Sequence, residues 1–182
     1  MSDRIETDRL IILTAKEEFA TQLAQYYDRN REWFDPYEVP KTPDYYTSAY
    51  QLSSMRYEID MMKKGQCMYY YVFLKEKPDT IIGTISYSRL RPMPYLSTVF
   101  GYDFDHAHWG SGYATESCIA TDNDIFQDYG MHRIEARVSL DNDRSIRMLE
   151  RLGFVYEGKE FAGVFIGGQW RDHLRYALIR PE

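Results

Sequence analysis

Two stretches of the chain hold residue types whose order could do chemistry. The first runs His108-Trp109-Gly110-Ser111-Gly112-Tyr113-Ala114-Thr115-Glu116, between an expected strand and an expected helix. Two glycines ahead of a helix N-terminus can present a concave row of backbone N–H donors, reinforced by the helix dipole, which suits a diphosphate. The same Gly-Ser-Gly pattern also makes an ordinary turn. No Lys-Ser or Lys-Thr pair follows, so it is not a P-loop, and it lacks the third glycine and parallel βαβ unit of a dinucleotide fingerprint. The second stretch is Asn142-Asp143-Arg144-Ser145-Ile146-Arg147-Met148-Leu149-Glu150-Arg151-Leu152-Gly153-Phe154. Asn142 stands where a strand should end and a helix begin, so its side chain either caps that helix or holds a ligand beside the sheet. Ser145, in the first turn, projects toward the same edge. Arg144, Arg147 and Arg151 share one helix face, which is either solvated or turned toward an anion.

Other constellations are thinner. His106 and His108 would imply a metal only with a third ligand, and no metal is expected. Cys67 and Cys118 have no second thiol near either and read as buried, reduced side chains.

The elements that must position these residues follow from periodicity and punctuation. Leu10 to Leu13 is a short apolar strand. Thr14 and Glu17 form a capping box that should start a helix carrying Phe19, Leu23, Tyr26 and Tyr27 inward and ending before Pro36. The segment 30–43, with Trp33, Phe34, Tyr37 and three prolines, should be irregular and either cover the core or line a site. Leu52, Met55, Ile59 and Met62 recur at helical spacing, and Gly65 supplies a left-handed stop. Met68 to Leu74 and Thr80 to Ser88 read as a hairpin around 75–79, with Ser97 to Phe104 pairing next as a meander. Beyond that, strand and helix alternate: helices near 114–129 and 143–152, and strands near 134–138, 161–166 and 175–179. The expected class is α+β, a mixed and mostly antiparallel sheet with helices on both faces, in one domain spanning 1–182.

Composition narrows the partners. The chain has 182 residues, 28 acidic against 22 basic, a net charge of -6 and 44% hydrophobic residues, which excludes intrinsic disorder as its main state. Without a concentrated basic run it lacks the electrostatic footprint of a nucleic-acid binder. No apolar run has signal-peptide or membrane-spanning length, so a cytoplasmic protein is expected, with no membrane partner. The 17 tyrosines, Tyr69 to Tyr71 among them, fit core packing with hydroxyls reaching the surface.

Taken together, the two chemical stretches resemble the GNAT superfamily of acetyl-CoA-dependent N-acetyltransferases, and more narrowly its ribosomal-protein-alanine N-acetyltransferase (RimJ/RimL-type) branch. The superfamily's pyrophosphate pattern, Gln/Arg-x-x-Gly-x-Gly/Ala, falls on Trp109, Gly110, Ser111, Gly112, Tyr113 and Ala114, and Trp-Gly-x-Gly-Tyr-Ala-Thr-Glu matches as it stands. The likeness extends over nearly the whole chain: Thr7-Asp8-Arg9-Leu10, the aromatic segment 30–38, Ile82-Gly83, Gly101-Tyr102, Asn142-x-x-Ser145, Arg151-Leu152-Gly153-Phe154, Glu157-Gly158 and Gly168-Gln169-Trp170-Arg171-Asp172-His173. Two positions depart from it. Trp109 replaces Gln or Arg, which takes a polar contact out of the loop, and Ala162 stands where relatives often carry an acid after a Glu-Gly pair, leaving Glu160 as a nearby acid.

The resemblance implies acetyl-CoA as cosubstrate, no metal, and a cofactor site made by Tyr102, Phe104, Trp109, Gly110, Ser111, Gly112, Tyr113, Ala114, Asn142 and Ser145. It implies that the Phe104 N–H faces the thioester carbonyl as an oxyanion donor, that Asn142 holds the pantetheine arm, and that Ser145 assists the leaving sulfur. Glu160 is the candidate base, with Glu38 and Asp172 as alternatives; Trp33, Phe34 and Tyr37 would shape the acceptor site. An α-amine near pKa 8 needs less help losing a proton than lysine near 10.4, so the absence of a Glu on the strand 97–104 favours a protein N-terminus, such as that of a ribosomal protein, as acceptor. The competing functions are acetylation of a small amine (an antibiotic or polyamine) and a non-catalytic acyl-CoA-binding module. The enzyme is expected to be a monomer or homodimer.

Overall fold

The structure, a computed structural model, describes residues 3–181; Met1, Ser2 and Glu182, the outermost residues of the expected domain, lie outside the described residues. Eight strands form one sheet: β1 (Arg4–Glu6), β2 (Leu10–Thr14), β3 (Cys67–Leu74), β4 (Lys77–Arg91), β5 (Ser97–Phe104), β6 (Arg133–Ser139), β7 (Val155–Ile166) and β8 (Gln169–Ile179). Their spatial order is β1-β2-β3-β4-β5-β6-β8-β7. Among the described residues only β5 and β6 run parallel, because the chain between them crosses over through a helix. The expected mixed, mostly antiparallel sheet is what forms.

Helices α1 (Ala20–Phe34) and α2 (Ser48–Lys63) cover one face, where Phe19, Leu23, Tyr26 and Met55 pack on Tyr71, Phe73 and Ile81. Helices α3 (Tyr113–Gln127) and α4 (Asp143–Arg151) cover the other, where Cys118, Ile125, Met148 and Leu149 join Tyr70, Val72, Ile85, Tyr87 and Phe100. The tyrosine run is therefore core: Tyr70 and Tyr71 point to opposite faces, and their hydroxyls donate to Asp124 and Glu58, each at 2.5 Å. Cys67 and Cys118 are buried and free.

Two helices stop by the same device. After α2, Gly65 takes φ +66°, its N–H reaching the Met62 carbonyl while Gln66 N–H reaches that of Met61. After α4, Gly153 and Phe154 repeat this on Glu150 and Leu149. These are Schellman motifs, and they satisfy carbonyls that the helix leaves unpaired.

Three expectations are corrected. The capping box does not form: Thr14 is drawn into the ladder opposite Tyr70, Glu17–Phe19 make a 3-10 turn, and α1 starts only at Ala20. Segment 30–43 is less irregular than its prolines imply, since α1 continues through Phe34 before 3-10 turns at Asp35–Tyr37 and Pro43–Tyr46. Strand β7 begins at Val155, six residues early, because bulges near Gly158 and between Glu160 and Val164 break the alternation that would have revealed it.

The sheet opens where it matters. Pairing of β5 with β6 runs from Ser97↔Arg133 to Phe100↔Ala136 and ends, although β5 stays paired to β4 through Phe104↔Gly83 and β6 to β8 through Ser139↔His173. Four residues of β5 thus leave the neighbouring strand, a notch roughly 13 Å long. Phe104 is anchored there by its ring, which fills the space beside Gly83; a Cβ on Gly83 would lie 2.4 Å from it.

Candidate active site

The notch leads into a cavity of ≈ 420 Å³ on the α3/α4 face. Of the ten expected cofactor residues, nine line it: Tyr102, Phe104, Trp109, Gly110, Gly112, Tyr113, Ala114, Asn142 and Ser145. Ser111 does not, because its carbonyl turns outward to accept from Arg9 Nη1 at 2.9 Å. Trp33, Phe34 and Tyr37 close one side together with Glu38. Glu160 is elsewhere, its carboxylate 2.9 Å from Arg137 Nε, and Asp172 pairs with Lys159 at 2.7 Å.

The loop before α3 has the shape its glycines require. Gly110 and Gly112 sit at φ +78° and +80°, and Gly112 is the N-cap of α3, so no side chain stands between the cavity and the first N–H groups of that helix. Opposite, the basic stripe of α4 borders the opening: Arg144, Arg147 and Arg151, all exposed, line the cavity of a protein whose net charge is -6. The Arg144 guanidinium lies over the Trp109 ring at 3.2 Å.

Trp109 does more than the expected loss of a polar contact. Its indole N–H donates to the Phe104 carbonyl at 2.7 Å, which ties the loop to the end of β5. That bond also fixes the direction of the Phe104 amide. In an antiparallel ladder successive residues turn their N–H and C=O to alternate sides. Asp105 N–H is spent on the Ile82 carbonyl of β4 at 2.9 Å, so the polar groups of Phe104 face the notch.

Asn142 behaves as a cap, its Oδ1 accepting from Ser145 N–H at 3.1 Å, while still lining the cavity. Ser145 Oγ is 3.0 Å from the Tyr102 hydroxyl, and burial pushes the Tyr102 pKa up to about 12, so this phenol keeps its proton at neutral pH. His106, rather than joining a metal cluster, stacks on Trp33 with ring centroids 3.8 Å apart.

Asp103 escaped the sequence reading, which looked for a Glu on this strand. It alternates with Tyr102 and Phe104, so its carboxyl emerges on the opposite face, and it lines both the main cavity and a second one of ≈ 130 Å³ beside Tyr27, Glu58, Thr84 and Ser86. Burial, with the charge of Glu38, pushes its pKa up to about 7 against the pull of Lys41 and Arg144. The signal was the strand itself: a lone Asp between aromatics at the end of a strand that borders a notch.

Comparison with known proteins matches this geometry to a family. The acetyltransferase (GNAT) domain family matches residues 9–155. The ribosomal protein uS5-alanine N-acetyltransferase of Escherichia coli (strain K12) is 31% identical over 180 residues, covering 98% of this chain and 92% of that protein. The crystal structure of a ribosomal-protein-S5-alanine acetyltransferase from Vibrio fischeri superposes with a TM-score of 0.93 at 27% identity, over 100% of this chain and 98% of that one. Mycobacterium smegmatis RimJ, in complex with CoA-disulfide, shares the fold at a TM-score of 0.87 and 21% identity, over 93% of this chain and 81% of its own. With a family match over most of its length and a relative at 31% identity over nearly all of it, this chain belongs to the GNAT family of N-acetyltransferases.

Proposed function

We propose that the protein transfers the acetyl group of acetyl-CoA to the N-terminal α-amine of a protein, a ribosomal protein being the class its relatives point to. The observation that carries this reading is Asp103, an ionisable group at the meeting point of two cavities on opposite faces of the sheet. Acetyl-CoA enters from the α3/α4 side, its diphosphate at the start of α3 and its phosphates near Arg144, Arg147 and Arg151; the glycine-turned start of α3 and those three arginines, all lining one cavity, support that side. The acceptor approaches Asp103 from the α1 end, where Trp33, Phe34 and Tyr37 line the main cavity and Tyr27 and Glu58 the second.

The base is then Asp103 rather than Glu160. Its carboxylate takes a proton from the acceptor, the freed amine nitrogen attacks the thioester carbon, and the oxyanion is met by the Phe104 N–H. As the C–S bond breaks, the attached nitrogen gives its surplus proton to the departing thiolate, on the face where Ser145 and Tyr102 offer hydroxyls to the sulfur. Proton transfer to a carboxyl near pKa 7 is uphill by about one pKa unit from an α-amine and by more than three from lysine, so the match favours an N-terminus. Relatives that modify ribosomal proteins support a cytoplasmic site of action; among the described residues no helix is long and apolar enough to cross a membrane.

Ser145→Ala should lower kcat by about tenfold to a hundredfold with a smaller change in KM for acetyl-CoA, the scale of one hydrogen bond made mainly in the transition state. Single-turnover kinetics check this; an unchanged chemical step would reduce Ser145 to the residue capped by Asn142.

The acceptor assignment is tested with paired peptides. A peptide with a free α-amine should be acetylated at least tenfold faster than the same sequence blocked at its N-terminus and carrying lysine. Equal rates overturn the N-terminal reading, and reaction only with polyamines or aminoglycosides would favour a small-amine acceptor.

A further inference from the structure

The turn between β1 and β2, at one edge of the sheet, reaches the loop before α3 through Arg9, a residue outside the catalytic machinery. It lies in the Thr7-Asp8-Arg9-Leu10 turn between β1 and β2, and its guanidinium meets Glu116 in the first turn of α3: Nε at 2.7 Å and Nη2 at 2.6 Å from Oε2. The Arg9 N–H and the Thr7 hydroxyl hold the other carboxylate oxygen, at 3.1 and 2.5 Å. Arg9 Nη1 accepts nothing and donates to the Ser111 carbonyl at 2.9 Å, and the guanidinium covers the Tyr113 ring at 4.4 Å.

This arrangement solves an electrostatic problem. A carboxylate in the first turn competes for the positive helix end that the proposed diphosphate would use. Burial would raise the Glu116 pKa, yet hydrogen bonds from Thr7 and Arg9 outweigh it and keep the group ionised. Arg9 cancels that charge and also turns the Ser111 carbonyl away from the cavity, so that the loop shows the cofactor donors rather than an acceptor. An exposed ion pair contributes little to stability by itself. A guanidinium that holds one atom of the loop, the Ser111 carbonyl oxygen, and one carboxylate oxygen of the helix it leads into fixes a geometry.

We propose that Arg9 is a positioning residue for acetyl-CoA, acting through Glu116 and Ser111 to hold the loop before α3 in the form that accepts a diphosphate. The proposal rests on the reading of that loop given above. It predicts selective damage: Arg9 should matter for donors that carry the diphosphate and not for donors that have only the pantetheine arm.

The test compares kcat/KM for acetyl-CoA and for acetyl-pantetheine, which has no phosphates, using one acceptor peptide. The ratio of the two is independent of how much enzyme is folded. In Arg9→Gln it should fall at least tenfold from the wild-type value. Arg9→Lys keeps the charge without the fork and should fall in between. Adding Glu116→Gln to Arg9→Gln should recover at least threefold, since the stranded carboxylate is gone. A wild-type ratio in Arg9→Gln overturns the proposal while leaving the diphosphate site standing. A wild-type enzyme with no preference for acetyl-CoA would remove both.

Discussion

Gly112→Asp should raise the Kd for acetyl-CoA more than a hundredfold while the protein stays folded. Gly112 caps α3 at φ +80°, a backbone conformation that Asp tolerates better than branched residues, so the turn survives the change. Gly112 is the N-cap of α3, so a carboxylate there stands within reach of the first N–H groups of that helix, and its Cβ would lie 3.4 Å from Arg9 Nη2. There it takes the donors proposed for the diphosphate and repels it. If it instead recruits Arg9, Glu116 is left uncompensated, and the helix end gains one negative charge either way. Each 1.4 kcal/mol is about tenfold in affinity, so losing two charge-assisted hydrogen bonds is enough for the expected effect. Calorimetric titration with acetyl-CoA, alongside circular dichroism, measures it; a Kd within threefold of wild type would remove the diphosphate from this loop.

Asp103→Asn should cut kcat about a hundredfold, toward the low end for general-base catalysis because part of the α-amine is already neutral near pH 7.5. The wild-type kcat/KM should rise with pH through about 7, as the half-buried carboxyl ionises, and this limb should vanish in the variant. Stability should move the opposite way. The carboxyl titrates near 3.8 when unperturbed and at about 7 in the fold, so between those values the unfolded chain releases a proton that the native state keeps. Raising the pH across that window penalises the fold, fully so above 7. The variant should therefore melt higher than wild type at pH 8, with the gain fading toward pH 4. Activity within fivefold of wild type from pH 6 to 9 would rule Asp103 out as the base.

What the sequence made legible was what local rules decide. The spacing of Leu52, Met55, Ile59 and Met62 marked α2, and Gly65 its stop, because helix faces and left-handed caps depend on neighbours in the chain. The loop of Gly110 and Gly112 was readable for the same reason. Long-range pairing hid the rest. Thr14 looks like a cap until β3 claims it, and no local pattern announces that Tyr70 will be its partner. Asp103 resembles any outward-facing strand residue until burial, Glu38, Lys41 and Arg144 set its proton affinity from distant parts of the chain. Trp109 looked like a lost contact because its partner, the Phe104 carbonyl, is exposed only where two strands part.

The aromatic cluster beside the notch also gives the enzyme an optical reporter. Of its three tryptophans, Trp33 and Trp109 both line the main cavity, with ring centroids 5.5 Å apart, and Trp109 lies against a guanidinium. Trp170 sits on β8, 65% exposed and in edge contact with Phe165. Occupancy of the cavity alters the surroundings of two indoles and leaves the third as an internal constant. Their combined emission can follow donor binding in real time, without a label and without turnover.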